Sequence, residues 1–539
     1  MKLAHTHRLA ALGAALATLS LQACGDDNNV DRMSTGDAAA DVTVTPDVTV
    51  TPDVTVTPDV TVTPDVTVTP DVTATPDASA SDVTFSDTSP ADASADVSAD
   101  ASVDAASDAA TVTCPTGAPE LVHTGDITAD ETWDCTRTHV LGGDGVFVLR
   151  GTLRITAGTV IKGGSNRAAL VVTTTGRVDA QGTAAQPVVF TSNQPVGMRR
   201  AAQWGGVVLL GSARINSANS DGDGGVTGTP GTNQIEGIPP TEGRARYGGM
   251  NDDHNCGTLR YVRIEFPGYE LSTNNELNGL TMGGCGRGTT IDYVEVLSSA
   301  DDGIEIFGGT VDVKHVVIAN AEDDSLDWDF GWTGRAQFVA IHSPISSTEA
   351  DPNGIEADNE PRVFGASPVS DPLIYNATLR GPGSANMVTV GYRGAVMRRG
   401  TAGRLHNLIV TGYPTQAIDL RDTPTIAFAR AEPPRLFANS SIVFGNNPTG
   451  AQFADNGADM FDEEAFFTAA ARMNRAVDPM LPAYVSATPA FAPAAGSPAA
   501  TGAATPPADG FFEPVTYVGA VPPGAGPNWT TGWTAYPVN

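Results

Sequence analysis

Residues 291–332 read IDYVEVLSSADDGIEIFGGTVDVKHVVIANAEDDSLDWDFGW and hold two copies of one unit. The run Ile291 to Val296 answers to Val313 to Ile318, and Asp302-Gly303-Ile304-Glu305 answers to Asp324-Ser325-Leu326-Asp327, each 22 residues on. Short β-branched runs separated by Gly/Asp/Asn turns at such a period mark the stacked coils of a β-solenoid. The six-residue run recurs from Leu259, Ala336, Ile374, Leu405 and Phe437. Its first, fourth and sixth positions are mostly apolar, which turns them inward and predicts a bend at the third. That third column is Tyr261, Tyr293, His315, Phe338, Asn376, Asn407 and Asn439. An aromatic stack followed by asparagines suits a corner where side-chain amides bond the rungs above and below. The pattern predicts an all-β chain, a right-handed parallel β-helix with loops of varied length leaving a regular barrel.

The chain begins with Lys2 and Arg8, an apolar run from Leu9 to Leu19, and Leu21-Gln22-Ala23-Cys24. This is the pattern of an export signal. The tetrapeptide resembles the bacterial lipobox, which implies cleavage before Cys24, a lipid on its sulfur and attachment to a membrane. Gly25 follows the cysteine, and by the sorting rule this motif resembles the destination is the outer membrane, with surface exposure open. Residues 25–113 read as a disordered stalk in which DVTVTP repeats from Asp41 and a Ser/Ala/Asp-rich run follows. Such a segment buries too little apolar surface to offset its ordering entropy, and proline with like charge keeps it extended. It carries about half of the chain's net charge of −32, so the acidity belongs largely to the stalk.

Residues 114–445 are the predicted β-helix and 446–539 a C-terminal cap, with one amphipathic helix over 461–477 and Asp462 at its start. Beyond Cys24 there are four cysteines, Cys114, Cys135, Cys256 and Cys285. In an exported chain an even count predicts disulfides, and sequence order favours Cys114–Cys135 and Cys256–Cys285 among three pairings.

The coil register sets carboxylates in rows. Asn278, Asp302, Asp324 and Asn353 share one column, Thr281, Glu305, Asp327 and Glu356 another, and Asp301 stacks on Asp323. Carboxylates about 5 Å apart repel by about 3 kcal/mol at an effective dielectric of about 20. A cation, an arginine or a shared proton must offset that. Calcium suits Asp301, Asp302, Glu305, Asp323, Asp324 and Asp327, since it takes several carboxylate oxygens in loose geometry. The alternative is that Asp-Gly and Asn-Gly simply form turns. Trp328, Phe330 and Trp332 are candidates for stacking on a sugar, or for packing beneath a loop. The outward pairs Arg260/Asp292 and Arg263/Glu295 read as ordinary cross-strand pairing. An acidic domain without a basic stripe argues against nucleic acid.

The strings SADDGIEIFGG and DDSLDWDFGW, with Trp204-Gly205-Gly206 and the run Ile235 to Pro240, resemble a group of exported lipoproteins of environmental Gram-negative bacteria. Their domains look like the pectin-lyase-type right-handed β-helix, and the resemblance covers about residues 115–539. It implies fold and address but no biochemical role. Polygalacturonase-type hydrolases of this fold use an adjacent aspartate pair, which Asp301-Asp302 and Asp323-Asp324 superficially match. That family's Asn-Thr-Asp, Gly-His-Gly and Arg-Ile-Lys motifs are absent, however. Pectate lyases pair calcium with an arginine on a neighbouring coil, for which Arg335 is the nominal candidate. The expectation is therefore a lipid-anchored, structural, adhesive or glycan-binding envelope protein, its partners a polysaccharide or another surface protein. The alternative is a polysaccharide lyase or hydrolase acting through Asp301, Asp302, Asp323 and Asp324.

Overall fold

The computed structural model describes residues 113–537 apart from 218–219, 222–224, 227–230, 240–241, 273–274, 346, 348–350, 384–390 and 454–460. The export signal, Cys24 and the acidic repeats lie outside the described residues.

The described chain is a parallel β-helix. A sixteen-stranded sheet runs from Glu120–His123 at one end to Leu436–Asn439 at the other, beside a nine-stranded sheet from Gly145–Val148 to Gln416–Leu420. In the first coils the sixteen-stranded sheet has two separate legs, with Gly151–Thr156 and Gly176–Gln181 on one and Val160–Gly163 and Val188–Ser192 on the other. Both legs pair with the single strand Gly257–Glu265; from there to Leu373–Arg380 one strand per coil crosses the corner, after which the legs separate again as Gly403–His406 and Ile409–Thr411. The crossing residues are the predicted third column: Tyr261, Tyr293, His315, Phe338, Asn376 and Asn407 all have φ between 49° and 61°. A left-handed residue inside a strand costs conformational energy for anything but glycine or asparagine, and here stacking offsets it. Tyr261, Tyr293, His315 and Phe338 lie face to face with centroids 4.4, 4.3 and 4.9 Å apart.

The last coil departs from the predicted register by one residue. Leu405 pairs with Ala438 rather than Phe437, and the left-handed residue is Ser440 rather than Asn439. Leu436 and Ala438 take the inward places, and Phe437 is left half-buried.

Both disulfides form as sequence order suggested, Cys114–Cys135 and Cys256–Cys285. The helix expected over 461–477 is shorter. It spans Glu463–Thr468, capped by Asp462 accepting from Ala465 N at 2.8 Å, and a 3₁₀ turn Ala470–Arg472 follows. The chain leaves the helix there because the Asn474 amide donates to both Ala438 O and Phe467 O, which lays Arg475 beside Ile442 as a last rung. Phe453, Phe461 and Phe467 close the core at this end. A second helix, Thr423–Arg430, has no counterpart in the sequence expectations; it buries Ile426 and Ala429.

Residues 478–537 do not lie over the open end. They return along the corner of the sixteen-stranded sheet, and the corner amides hold them. Gln337 donates to Glu513 O and accepts from Glu513 N, while Asn407 treats Ala504 in the same way. Asn376 donates to Tyr517 O at 2.9 Å. Asn376 and Asn407 thus grip the tail, while Asn376 also accepts from Gln337 of the neighbouring rung. Part of the outward charge lies under this cover as well, although Arg260 stays exposed. Glu295 is fully buried and accepts from Ala535 N, and Lys314 bonds Glu513 rather than Asp292.

Candidate metal centre

Along the nine-stranded sheet Leu280, Met282, Ile304, Ile306, Leu326 and Trp328 face the core. Strand alternation therefore sends the residues between them outward. One outward column runs in strict register through Phe147, Val171, Val208, Thr281, Glu305, Asp327, Glu356, Val396 and Asp419. It changes from apolar to acidic at Thr281.

The turn before each strand supplies the second row. Asp324 N donates to Asp302 Oδ1 at 2.9 Å, Asn353 N to Asp324 Oδ1 at 2.5 Å, and Arg393 N to Asn353 Oδ1 at 3.3 Å. Each side chain thus caps the backbone of the next coil, which is the turn-forming role. Gly303 must follow Asp302 because a Cβ there would stand 2.3 Å from Ile318 and 2.6 Å from Ser325 O.

Capping uses one oxygen of each aspartate and leaves the charge. Carboxylate oxygens of Asp302, Glu305 and Asp327 lie within 4.8 Å of one another, and those of Asp301, Asp302 and Asp323 do the same. Asp302 is common to both groups and 6 % exposed. Burial pushes Asp302, Glu305, Asp324, Asp327 and Asp329 well above the usual carboxylate range, and neighbouring carboxylates push them further.

The counter-charge is uneven. Arg398 pairs with Glu356 and Asp358, and Arg399 reaches Asp358 at 2.8 Å. These arginines pair with the later coils and act on Asp324, Asp327 and Asp329 only at longer range, while Asp302, Glu305 and Asp327 form no ion pair among the described residues. Arg335, the arginine singled out from sequence, is on the other sheet with Asp312 and Asp509. Arg398 was legible in principle, since Gly394 answers to Gly303 and Gly354 in the coil pattern and puts Arg398 beside Asp358.

Two further observations bear on a cation. Asn278 Nδ2 donates to Glu305 Oε2 at 2.5 Å and to Glu236 Oε1 at 3.2 Å, so the long insertion delivers a carboxylate to this place. No sequence signal ties Glu236 to the rows, because the insertion breaks the coil period. Among the described residues, Asn278 Oδ1, Thr281 Oγ1, Asp327 Oδ1 and Asp329 Oδ1 are buried without a hydrogen-bond partner. Buried oxygens without partners are uncommon and call for one. A donor set of carboxylate, amide and hydroxyl oxygens fits a hard divalent cation such as calcium.

The aromatic candidates have no face for a sugar. Trp328 and Trp332 are fully buried, their Nε1 groups donating to Thr401 Oγ1 and Val311 O. Phe330 is 7 % exposed and packs against Phe307.

A family model for the pectate-lyase-like beta helix domain matches residues 125–476, about two thirds of the chain. No curated protein and no solved structure matches it.

Proposed function

The chain belongs to the pectate-lyase-like β-helix family, and from that premise we propose a non-catalytic, calcium-stabilised binding or structural protein of the cell envelope. The observation that carries the reading is the convergence of Asp302, Glu305 and Asp327 within 4.8 Å beside buried oxygens that lack partners. A hydrolase needs an acid and a base on opposite sides of a sugar bond. Here Asp302 and Asp324 are more than nine-tenths buried, and each has one oxygen engaged by the backbone of the next coil. That supports holding a cation over cleaving a polysaccharide. The polysaccharide or surface-protein partner would meet the outer faces of the coils.

Millimolar calcium should raise the unfolding temperature, since a ligand at about a hundredfold its Kd stabilises the native state by about 2.7 kcal/mol. The double variant Asp302→Asn, Asp324→Asn retains an Oδ1 acceptor at each position, so the caps survive while two charges go. It should lose the calcium response. A scan without a calcium shift, or with the same shift in the variant, leaves both residues as turn formers. The address rests on the lipobox. Cys24→Ser should move the protein from the membrane fraction to the soluble one, and a variant that stays membrane-bound with unchanged mass refutes the anchor.

A further inference from the structure

Three rings cover the core at the first coil of the solenoid. Trp133 belongs to the core cluster, and the His123 ring lies against it with centroids 4.2 Å apart. His139, 3 % exposed, stacks on the same indole at 4.9 Å. A terminal coil has no neighbour to bury its outer face, so some cover is needed here. The end strand Glu120–His123 has little else to hold it, since Leu121 and Val122 are exposed and it pairs only with Thr138–Leu141.

The hydrogen bonds fix where the protons are. Asp134 O can only accept, so His139 Nε2, 3.1 Å away, carries the hydrogen. In the neutral ring Nδ1 is then a lone pair, and it accepts from His123 Nε2–H at 2.9 Å. His123 Nδ1 is the remaining lone pair. It faces Glu131 Oε1 at 3.8 Å, and that oxygen also accepts from Trp133 Nε1 at 2.7 Å. A first proton therefore enters at His123 Nδ1 beside a carboxylate and leaves the bond between the rings intact. A second has only His139 Nδ1 to occupy, because Nε2 already carries a hydrogen. It breaks that bond and sets two cationic N–H groups against each other. We propose that His123 and His139 form an acid-released latch, which closes the first coil near neutral pH and opens it when both rings are protonated.

The surrounding charges do not rescue the doubly protonated pair. Burial holds both rings below the usual histidine range. His139 adds to that at His123 and Arg137 adds to it at His139, while Asp134 and Glu131 oppose it. On the neighbouring strands Glu120 is paired with Lys162, and Asp130 with Arg154. A depressed folded value means that the latch is complete above about 6.5 and is lost as pH falls below it. Opening leaves Thr138–Leu141 as an unpaired strand edge beside an uncovered indole. The Cys114–Cys135 bond ties the chain before the released strand to the residues after Trp133, so the coil can close again. Because each coil contacts only its neighbours, the end opens without unfolding the rest.

The test is amide hydrogen exchange on the full chain, compared as protection factors at about pH 7.5 and about pH 5, on either side of the histidine range. Protection across residues 120–123 and 138–141 should fall by about tenfold or more on acidification, while that across 290–297 should not fall. His139→Gln keeps an acceptor and a donor at this place but takes no proton, so its protection should be the same at both pH values. Where His139→Gln is unprotected even at neutral pH, the double variant His123→Phe, His139→Phe keeps a three-ring cover without titrating groups and should be equally insensitive. If the unaltered protein keeps its protection in acid, the latch does not exist. The same follows if a variant protected at neutral pH loses its protection in acid as the unaltered protein does.

Discussion

A chain ending at Val477 is expected to show no cooperative unfolding transition under conditions where the full chain is stable. The tail contributes Phe491, Ala520, Val521 and Trp533 to a cluster with Val317 and Ala340, and Val518 and Ala499 to another with Ile409 and Ile442. Trp533 is 1 % exposed and sets its edge on the rings of Tyr261 and Tyr293. Removing it alone, in Trp533→Ala, should cost about 3–5 kcal/mol. The whole tail holds several such contacts, against a typical total stability of about 5–15 kcal/mol. Its loss would also leave the corner amide of Asn407 without its partner, strip Gln337 of its bonds to Glu513 and uncover a four-ring stack. Denaturant titration of the truncated chain and of Trp533→Ala checks both. A truncated chain with the midpoint of the full one would make the tail a passenger.

How the tail is held explains what was legible in the sequence. Strand columns can be read because inward positions repeat in residue type from coil to coil, and the bend at the third position could be read because Tyr261, Tyr293 and His315 break the apolar alternation. The partner of the asparagines could not. An amide that grips the backbone of a distant segment looks, in sequence, like one that bonds its own neighbours, and the bonded backbone at Ala504 or Tyr517 carries no side-chain signature. The same blindness made Arg263 and Glu295 look like a solvated surface pair, when the tail buries Glu295 completely.

The site divides along similar lines. Rows repeating every coil, such as Glu305 over Asp327, follow directly from the period and are found in register. What leaves the period is lost to sequence reading, and Glu236 belongs to a stretch with no coil to align against. Trp328 and Trp332 show a subtler failure. DWDFGW reads as an aromatic loop, but strand alternation after Asp327 turns Trp328 inward, and Trp332 follows Gly331, whose φ of +86° turns the chain. Had the alternation been continued for one more residue, Trp328 would have been assigned to the core.

With calcium chelated, the unfolding temperature is expected to fall as pH rises from about 5 to about 8, the reverse of the usual gain above the carboxylate range. Burial first, then neighbouring acids, raises Asp302, Glu305, Asp324, Asp327 and Asp329 in the folded state. In the unfolded chain such groups titrate near about 4. The folded protein therefore retains protons that the unfolded chain has released. The stabilisation is full below about 4 and is lost as pH rises through the raised folded values. Glu295 adds to this slope from the opposite sheet. Burial pushes it up to about 8 although Ala535 N–H and Arg263 favour its charge. Calcium competes with protons only at the acidic rows, so its stabilising effect should grow from pH 5 to pH 8. The Asp302→Asn, Asp324→Asn variant should have a shallower slope in chelator and no calcium effect at either pH. Glu295→Gln should flatten the slope near pH 8 while the calcium effect persists. Thermal scans at both pH values, in chelator and in calcium, separate the two contributions. A melting temperature that rises with pH in chelator would show that these carboxylates are ionised and already compensated within the fold, with Arg398 serving more of the row than Glu356 and Asp358.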